Sequence, residues 1–177
     1  MSKALLAAKE TKKANGNLFT SFNITAADAI DLNFNKTLME LVETHELDPS
    51  DIVIELTERT TEDINILALS LKNLKEQGFK IALDDFGTGY SNIDLLCQID
   101  FDIIKIDRIY MTSINKCSVG NIVFEMAIDA FIKSGVVVIV EGIENAEQAK
   151  YLHKKYPMIK GQGWFYSKPQ RIESSPF

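Results

Sequence analysis

Five short β-branched or aromatic runs, each closing on a polar residue, constrain most strongly what this chain can fold into. They run from Leu18 to Asn23, Ile52 to Glu55, Phe79 to Asp84, Asp102 to Asp107 and Val136 to Glu141. Runs that are apolar almost throughout suit strands buried on both faces, the condition of a parallel sheet covered by helices. A sixth, weaker segment at Met158-Ile159 leads into Gly161-Gln162-Gly163. The intervening segments read as helices. From Ile64 to Gln77 the apolar positions 64, 67, 71 and 74 repeat at helical spacing, and Gly78 supplies the stop. The segments from Ala26 to Glu46, Ser118 to Lys133 and Asn145 to about Tyr156 behave likewise, and a helix from Ser2 to Asn15 precedes the first strand. Strands and helices therefore alternate, which leaves a doubly wound sheet or a barrel. Both architectures gather ligands at the carboxyl ends of strands, and six convergent strand ends favour the barrel.

Composition fits one soluble globular domain over residues 1–170, with 171–177 as a loose tail: 46% hydrophobic and 25% charged residues in a chain of 177. A formal charge of −6 disfavours a nucleic-acid backbone or an anionic membrane as partner. There is no signal peptide, and no apolar run approaches the ~18 residues of a membrane-spanning helix. A cytoplasmic location is expected, although a longer parent protein could be tethered to a membrane. Cys97 and Cys117 lack metal-ligand spacing, and His45 and His153 sit among charged helical neighbours, so surface positions are expected for the histidines. Trp164, Phe165 and Tyr166 are expected to cap the barrel rather than stack on bases.

Asp84 and Asp85 are adjacent and precede Phe86-Gly87-Thr88-Gly89. Side by side, two carboxylates repel unless one is protonated or a divalent cation neutralises them, and hard oxygen donors suit Mg²⁺ or Mn²⁺. An isolated Asp-Asp would belong to a solvated turn. Recurrence of the strand-end pattern along the chain changes that balance. Lys105 and Asp107 are two apart in a strand and share a face. A buried lysine needs carboxylate neighbours, either Asp107 itself or an acidic centre. Glu58 and Glu144 read equally well as helix-start acids, and Gln162 between glycines as a turn residue.

Taken in order, Ser21-Phe-Asn-Ile-Thr, Ile54-Glu-Leu-Thr-Glu-Arg, Leu83-Asp-Asp-Phe-Gly-Thr-Gly-Tyr-Ser, Ile104-Lys-Ile-Asp-Arg, Val140-Glu-Gly-Ile-Glu-Asn and Gln162-Gly-Trp-Phe-Tyr-Ser-Lys-Pro resemble the successive motifs of the EAL-domain family. The resemblance runs from about Leu5 to Pro169. It implies a modified TIM barrel that hydrolyses cyclic di-GMP to linear pGpG with two divalent metals, Mg²⁺ or Mn²⁺. Position by position, Asn23, Glu55 and Asp84 resemble the ligands of one metal, with Asp84 bridging to a second held by Asp85 and Glu141. Lys105 resembles the active-site lysine that orients the attacking water, and Glu141 stands with it as a catalytic position. Glu58 resembles the glutamate that orders the loop from Asp85 to Ser91. Glu144 and Gln162 fall near the substrate.

The chain departs from the family in one motif. The closest string to Glu-Ala-Leu is Lys3-Ala4-Leu5, with lysine in place of the glutamate and on a helix rather than a strand. The expectation is an incomplete barrel with about six of its eight strands, since a complete one takes ~250 residues. Open strand edges would then drive homo-oligomer formation, and hydrolysis by this chain would be slow or absent. The alternative function is a catalytically silent EAL-like regulatory module that binds cyclic di-GMP or a protein partner. A third reading, an unrelated metal-dependent phosphatase barrel, would cleave monoesters.

Overall fold

The computed structural model describes residue 5 and residues 19–57, 62–88, 93–113 and 119–169. Glu58, Cys117, the tail 171–177 and the expected first helix, apart from the buried helical residue Leu5, lie outside the described residues. The described residues form two compact units. One holds those up to Ala82 together with 93–100, and the other holds 83–88 and the described part of 101–169.

In the first unit, β1 (Thr20–Ile24) pairs in parallel with β2 (Ile52–Thr57), in a register running from Thr20 opposite Ile52 to Ile24 opposite Leu56. The strand order is β1-β2-β3, with β3 (Lys80–Phe86) contributing its first three residues here. The single helix expected from Ala26 to Glu46 is two helices, α1 (Ala26–Ile30) and α2 (Leu32–Thr44). Asp31 causes the break: its backbone is extended and its carboxylate accepts from Asn33 N at 2.8 Å, so it ends one helix and caps the next. α3 (Ile64–Glu76) is capped by Asp63 and buries Leu67, Leu71 and Leu74, the stripe that the spacing predicts. The sequence did not announce α4 (Ile93–Gln98), which buries only Leu95. Lys75 Nζ donates to the Asp100 carbonyl at 2.6 Å and to its carboxylate at 3.0 Å, tying the end of α3 to the segment after α4.

In the second unit the order is β3-β4-β5-β6, with β4 (Ile103–Ile106), β5 (Val137–Val140) and β6 (Lys160–Gly161). Ile103 to Ile106 lie opposite Val137 to Val140 in parallel, and Ile139 and Val140 lie opposite Lys160 and Gly161. The weak sixth strand therefore begins just after Met158-Ile159. The helices are α5 (Ile109–Ser113), α6 (Val119–Ser134) and α7 (Ala146–Lys155), the last opened by an Asn145–Gln148 capping box. The Phe86 ring meets that of Phe131 edge to face at 5.2 Å, fixing α6 on the end of β3. Glu125 of α6 accepts from Tyr151 and Lys155 of α7. Trp164, Phe165 and Tyr166 are exposed and do not cap a core, because they lie on a turn just beyond β6. His153 is exposed and His45 half-buried at the end of α2. No helix among the described residues is long and apolar enough to cross a membrane.

Candidate functional site

Asn23 and Glu55 are register partners in the first unit. Paired residues of adjacent parallel strands project to the same face of the sheet, about 4.8 Å apart along the hydrogen-bonding direction. The regular alternation of β1 and β2 thus brings together two residues that are well separated in sequence. Asn23 is exposed and Glu55 buried.

The second unit builds its cluster by breaking that alternation. Successive residues of a regular strand face opposite sides, so Asp84 and Asp85 would diverge. Asp85, however, has φ +56°, the left-handed region that aspartate tolerates better than most residues. Thr88 stabilises the turn, donating to the Asp85 carbonyl from N at 3.2 Å and from Oγ1 at 3.1 Å. One carboxylate oxygen from each of Asp84, Asp85 and Glu141 falls within 4.8 Å of the others. Lys105 is buried among them, its Nζ 2.8 Å from Asp84 Oδ1 and 2.8 Å from Glu141 Oε1. Asp84 Oδ1 is itself buried and out of line for a directed hydrogen bond, so Lys105 holds it by charge. Asp107, the alternative partner, instead accepts from Ile109 N at 2.8 Å and starts α5. The acidic centre wins the lysine because it needs the charge more.

Burial pushes the Glu141 carboxyl above the ordinary glutamate range. Lys105 opposes that shift, and Asp84 and Asp85 add to it. Three carboxylates facing one ammonium leave a formal surplus of two negative charges. A hard divalent cation on oxygen donors would balance that surplus, so the residues present could hold a metal.

Glu141 owes its position to the backbone beyond it. Gly142 has φ +69°, and a β-carbon there would collide with Arg108. A β-carbon on Gly163 would collide with the Ile143 backbone. Gln162 N donates to the Val140 carbonyl at 2.9 Å, and Ile143 N donates to the Gln162 carbonyl at 3.1 Å, which continues the β5–β6 pairing past the strand ends. This packing creates a groove of about 380 Å³ lined by Glu141, Glu144 and Gln162. Arg108, Trp164 and Lys168 line it too. Sequence reasoning gave Arg108 and Lys168 no role and expected Trp164 to cap the barrel. The signals available were a cation directly after a strand-end aspartate, for Arg108, and an indole directly after a Gly-Gln-Gly turn, for Trp164. A larger cleft of about 520 Å³ lies along α3 and α4 of the first unit and contains none of the candidate residues.

Known proteins share this arrangement of elements. The model of the EAL domain family matches residues 1–169. Probable cyclic di-GMP phosphodiesterase PdeB of Escherichia coli (strain K12) is 36% identical over 131 residues, 74% of this chain and 24% of the relative. Cyclic di-GMP phosphodiesterase PdeR of the same strain is 30% identical over 154 residues, 86% of this chain and 23% of the relative. The chain thus spans about a quarter of the length of these curated relatives. Among solved structures, the EAL enzyme Bd1971 in its cAMP and cyclic-di-GMP bound form superimposes with a TM-score of 0.87 at 30% identity, covering 97% of this chain and 48% of that one. The PaMucR phosphodiesterase in complex with c-di-GMP gives a TM-score of 0.88 at 22% identity, covering 97% and 70%, a likeness of fold alone. The fold is the α/β, TIM-barrel-like fold of these EAL domains.

Proposed function

The chain belongs to the EAL domain family, and we propose that it binds cyclic di-GMP and carries the metal-dependent chemistry that hydrolyses it to linear pGpG. The observation that carries this reading is the Asp84, Asp85 and Glu141 cluster closed around Lys105. Asp84, Asp85 and Glu141 would hold Mg²⁺ or Mn²⁺, with Asn23 and Glu55 as further ligands. A bound divalent cation supplies Lewis-acid stabilisation of phosphate oxygens and activates water near neutral pH. The rest falls to the chain's own side chains. Lys105, fixed between Asp84 and Glu141, orients the attacking water and sets a positive charge where the reacting phosphate gains negative charge. Glu141 holds that lysine, its Oε1 2.8 Å from the Lys105 Nζ. Glu144 and Gln162 contact the nucleotide from the groove. We assign the chain to the cytoplasm, where the proposed substrate acts as a bacterial messenger. We assign it a homo-oligomeric state built on its outermost strands, β1 and β6 among the described residues.

The test combines turnover with metal titration. Cyclic di-GMP incubated with the chain and Mg²⁺ or Mn²⁺ should yield pGpG at a slow rate, and Asp84→Asn should weaken metal binding in calorimetry more than Asp85→Asn. Tight nucleotide binding without turnover would favour the silent regulatory module. Hydrolysis of monoesters alone, or unchanged metal affinity in both variants, would overturn the proposal. Light scattering that finds a stable monomer at micromolar concentration would remove the oligomer.

A further inference from the structure

We propose that Phe124 of α6 is a positioning residue for the Asp85 arm of the acidic cluster, its ring seated in a notch that Gly87 leaves open and holding the turn that aims the Asp85 carboxylate. This rests on the proposed function and adds to the site a residue with no polar side-chain atom, which acts through the backbone.

Asp85 has φ +56° and Gly87 φ +101°, so two of the three residues that follow Asp84 lie in the left-handed region. An aspartate there is disfavoured by its own β-carbon and persists where its surroundings over-determine it. The two hydrogen bonds from Thr88 to the Asp85 carbonyl come from within the turn and close it on itself. Phe124 supplies a contact from outside. A β-carbon on Gly87 would collide with the Phe124 ring at Cε1 and Cζ, so the ring lies directly on the glycine backbone. A larger residue at 87 would push ring and turn apart.

The ring is itself held in place. Phe124, Ile128 and Phe131 follow one another at four and three residues and share one face of α6. Ile128 is fully buried, and Phe131 meets Phe86, the residue between Asp85 and Gly87, edge to face at 5.2 Å. The Phe124 ring also packs against that of the fully buried Tyr110, with centroids 5.5 Å apart. Tyr110 N donates to the Asp107 carbonyl at 3.1 Å, and Asp107 N donates to the Phe86 carbonyl at 3.2 Å. The start of α5, the face of α6 and the end of β3 are thus tied together at the turn. Asp84 differs from its neighbour, because Lys105 holds it directly. Asp85 is the arm whose place depends on the turn, and Phe124 is half-buried, so the ring matters more for what it fixes than for the core it fills. Groups that orient a metal ligand from behind carry about ten-fold to about a hundred-fold in affinity.

The test is a double-mutant cycle read by calorimetric titration of Mn²⁺ into the full chain. Phe124→Ala should weaken Mn²⁺ binding about ten-fold in the parent and leave it unchanged in the Asp85→Asn background, where the arm that it positions carries no charge. Phe124→Leu, which refills much of the notch, should recover most of the affinity. Hydrogen exchange reads the turn without metal: the Thr88 amide should exchange faster in Phe124→Ala, while the Glu141 amide, bonded to the Ile106 carbonyl at 2.9 Å, should keep its rate. Unchanged affinity in Phe124→Ala, or an equal loss in both backgrounds, would overturn the positioning role and leave the proposed function standing. If the unaltered chain takes up no Mn²⁺, the proposed function fails instead, and an unchanged Thr88 exchange rate would then overturn the inference as well.

Discussion

Asn23 and Glu55 reach a common face through unbroken strand geometry, whereas Asp84, Asp85 and Glu141 are gathered in the second unit by two left-handed residues, Asp85 and Gly142. The first pair follows from the rule that parallel neighbours in register share a face. The second cluster exists because that rule is suspended at two positions, each held by its surroundings. A residue in a sparsely populated conformation persists only where packing over-determines it. The second unit should therefore lose stability sharply when one of its supports is removed, and the first should yield little.

Lys105→Met gives the largest effect. It leaves the buried Asp84 and the half-buried Glu141 without their counter-charge, and breaking a buried pair costs about 3 to 5 kcal/mol. Urea unfolding near pH 7 should show that loss, and Mg²⁺ should restore part of it. An unchanged midpoint would mean the cluster does not depend on the lysine. Next comes Gly163→Ala, expected to cost about 2 to 3 kcal/mol, since the added β-carbon meets backbone of Ile143 that no rotamer change can clear. Full stability in that variant would show that the turn carrying Trp164 is pliable.

A smaller effect is expected from Glu125→Gln, which loosens α6 from α7. The hydrogen bond from Lys155 is the main cause that holds the Glu125 carboxyl below its ordinary value of 4.5. A depressed acid contributes stability that is present above pH 4.5 and is lost as pH falls through its lower folded value. Melting temperature should thus fall less steeply below pH 4.5 in the variant than in the parent, by less than about 1 kcal/mol, because the pair is partly exposed. Identical acid profiles would remove this pair from the account. Smallest is Asn23→Ala, at about 0.5 kcal/mol or less, since the side chain is exposed. The metal affinity of that variant should nonetheless fall. A large stability loss at Asn23 would erase the contrast between the two regions.

Much of the strand and helix pattern was legible because each element repeats its signal over several neighbours. The stripe at Leu67, Leu71 and Leu74, the run from Ile52 to Leu56 and the stop at Gly78 need only local spacing to be read. The break at Asp31 was missed because one side chain outbid a helical pattern on both sides of it. The short helices α4 and α5 were missed because five or six residues carry too little periodicity to register. The residue types of the site, two adjacent aspartates and strand-end glutamates and lysine, were visible in the same way.

By itself the sequence determined alternating strands and helices, the polar residue closing each strand, and a motif order that places the chain in its family, because these depend on residues close together along the chain. Only the tertiary structure decided which acids Lys105 serves, how Asp85 turns its carboxylate toward Glu141, and that Arg108, Trp164 and Lys168 share one groove. Those outcomes rest on burial, charge and close backbone approach between segments far apart in sequence. A left-handed aspartate or an exposed indole leaves no periodic trace, since its cause lies in what packs against it.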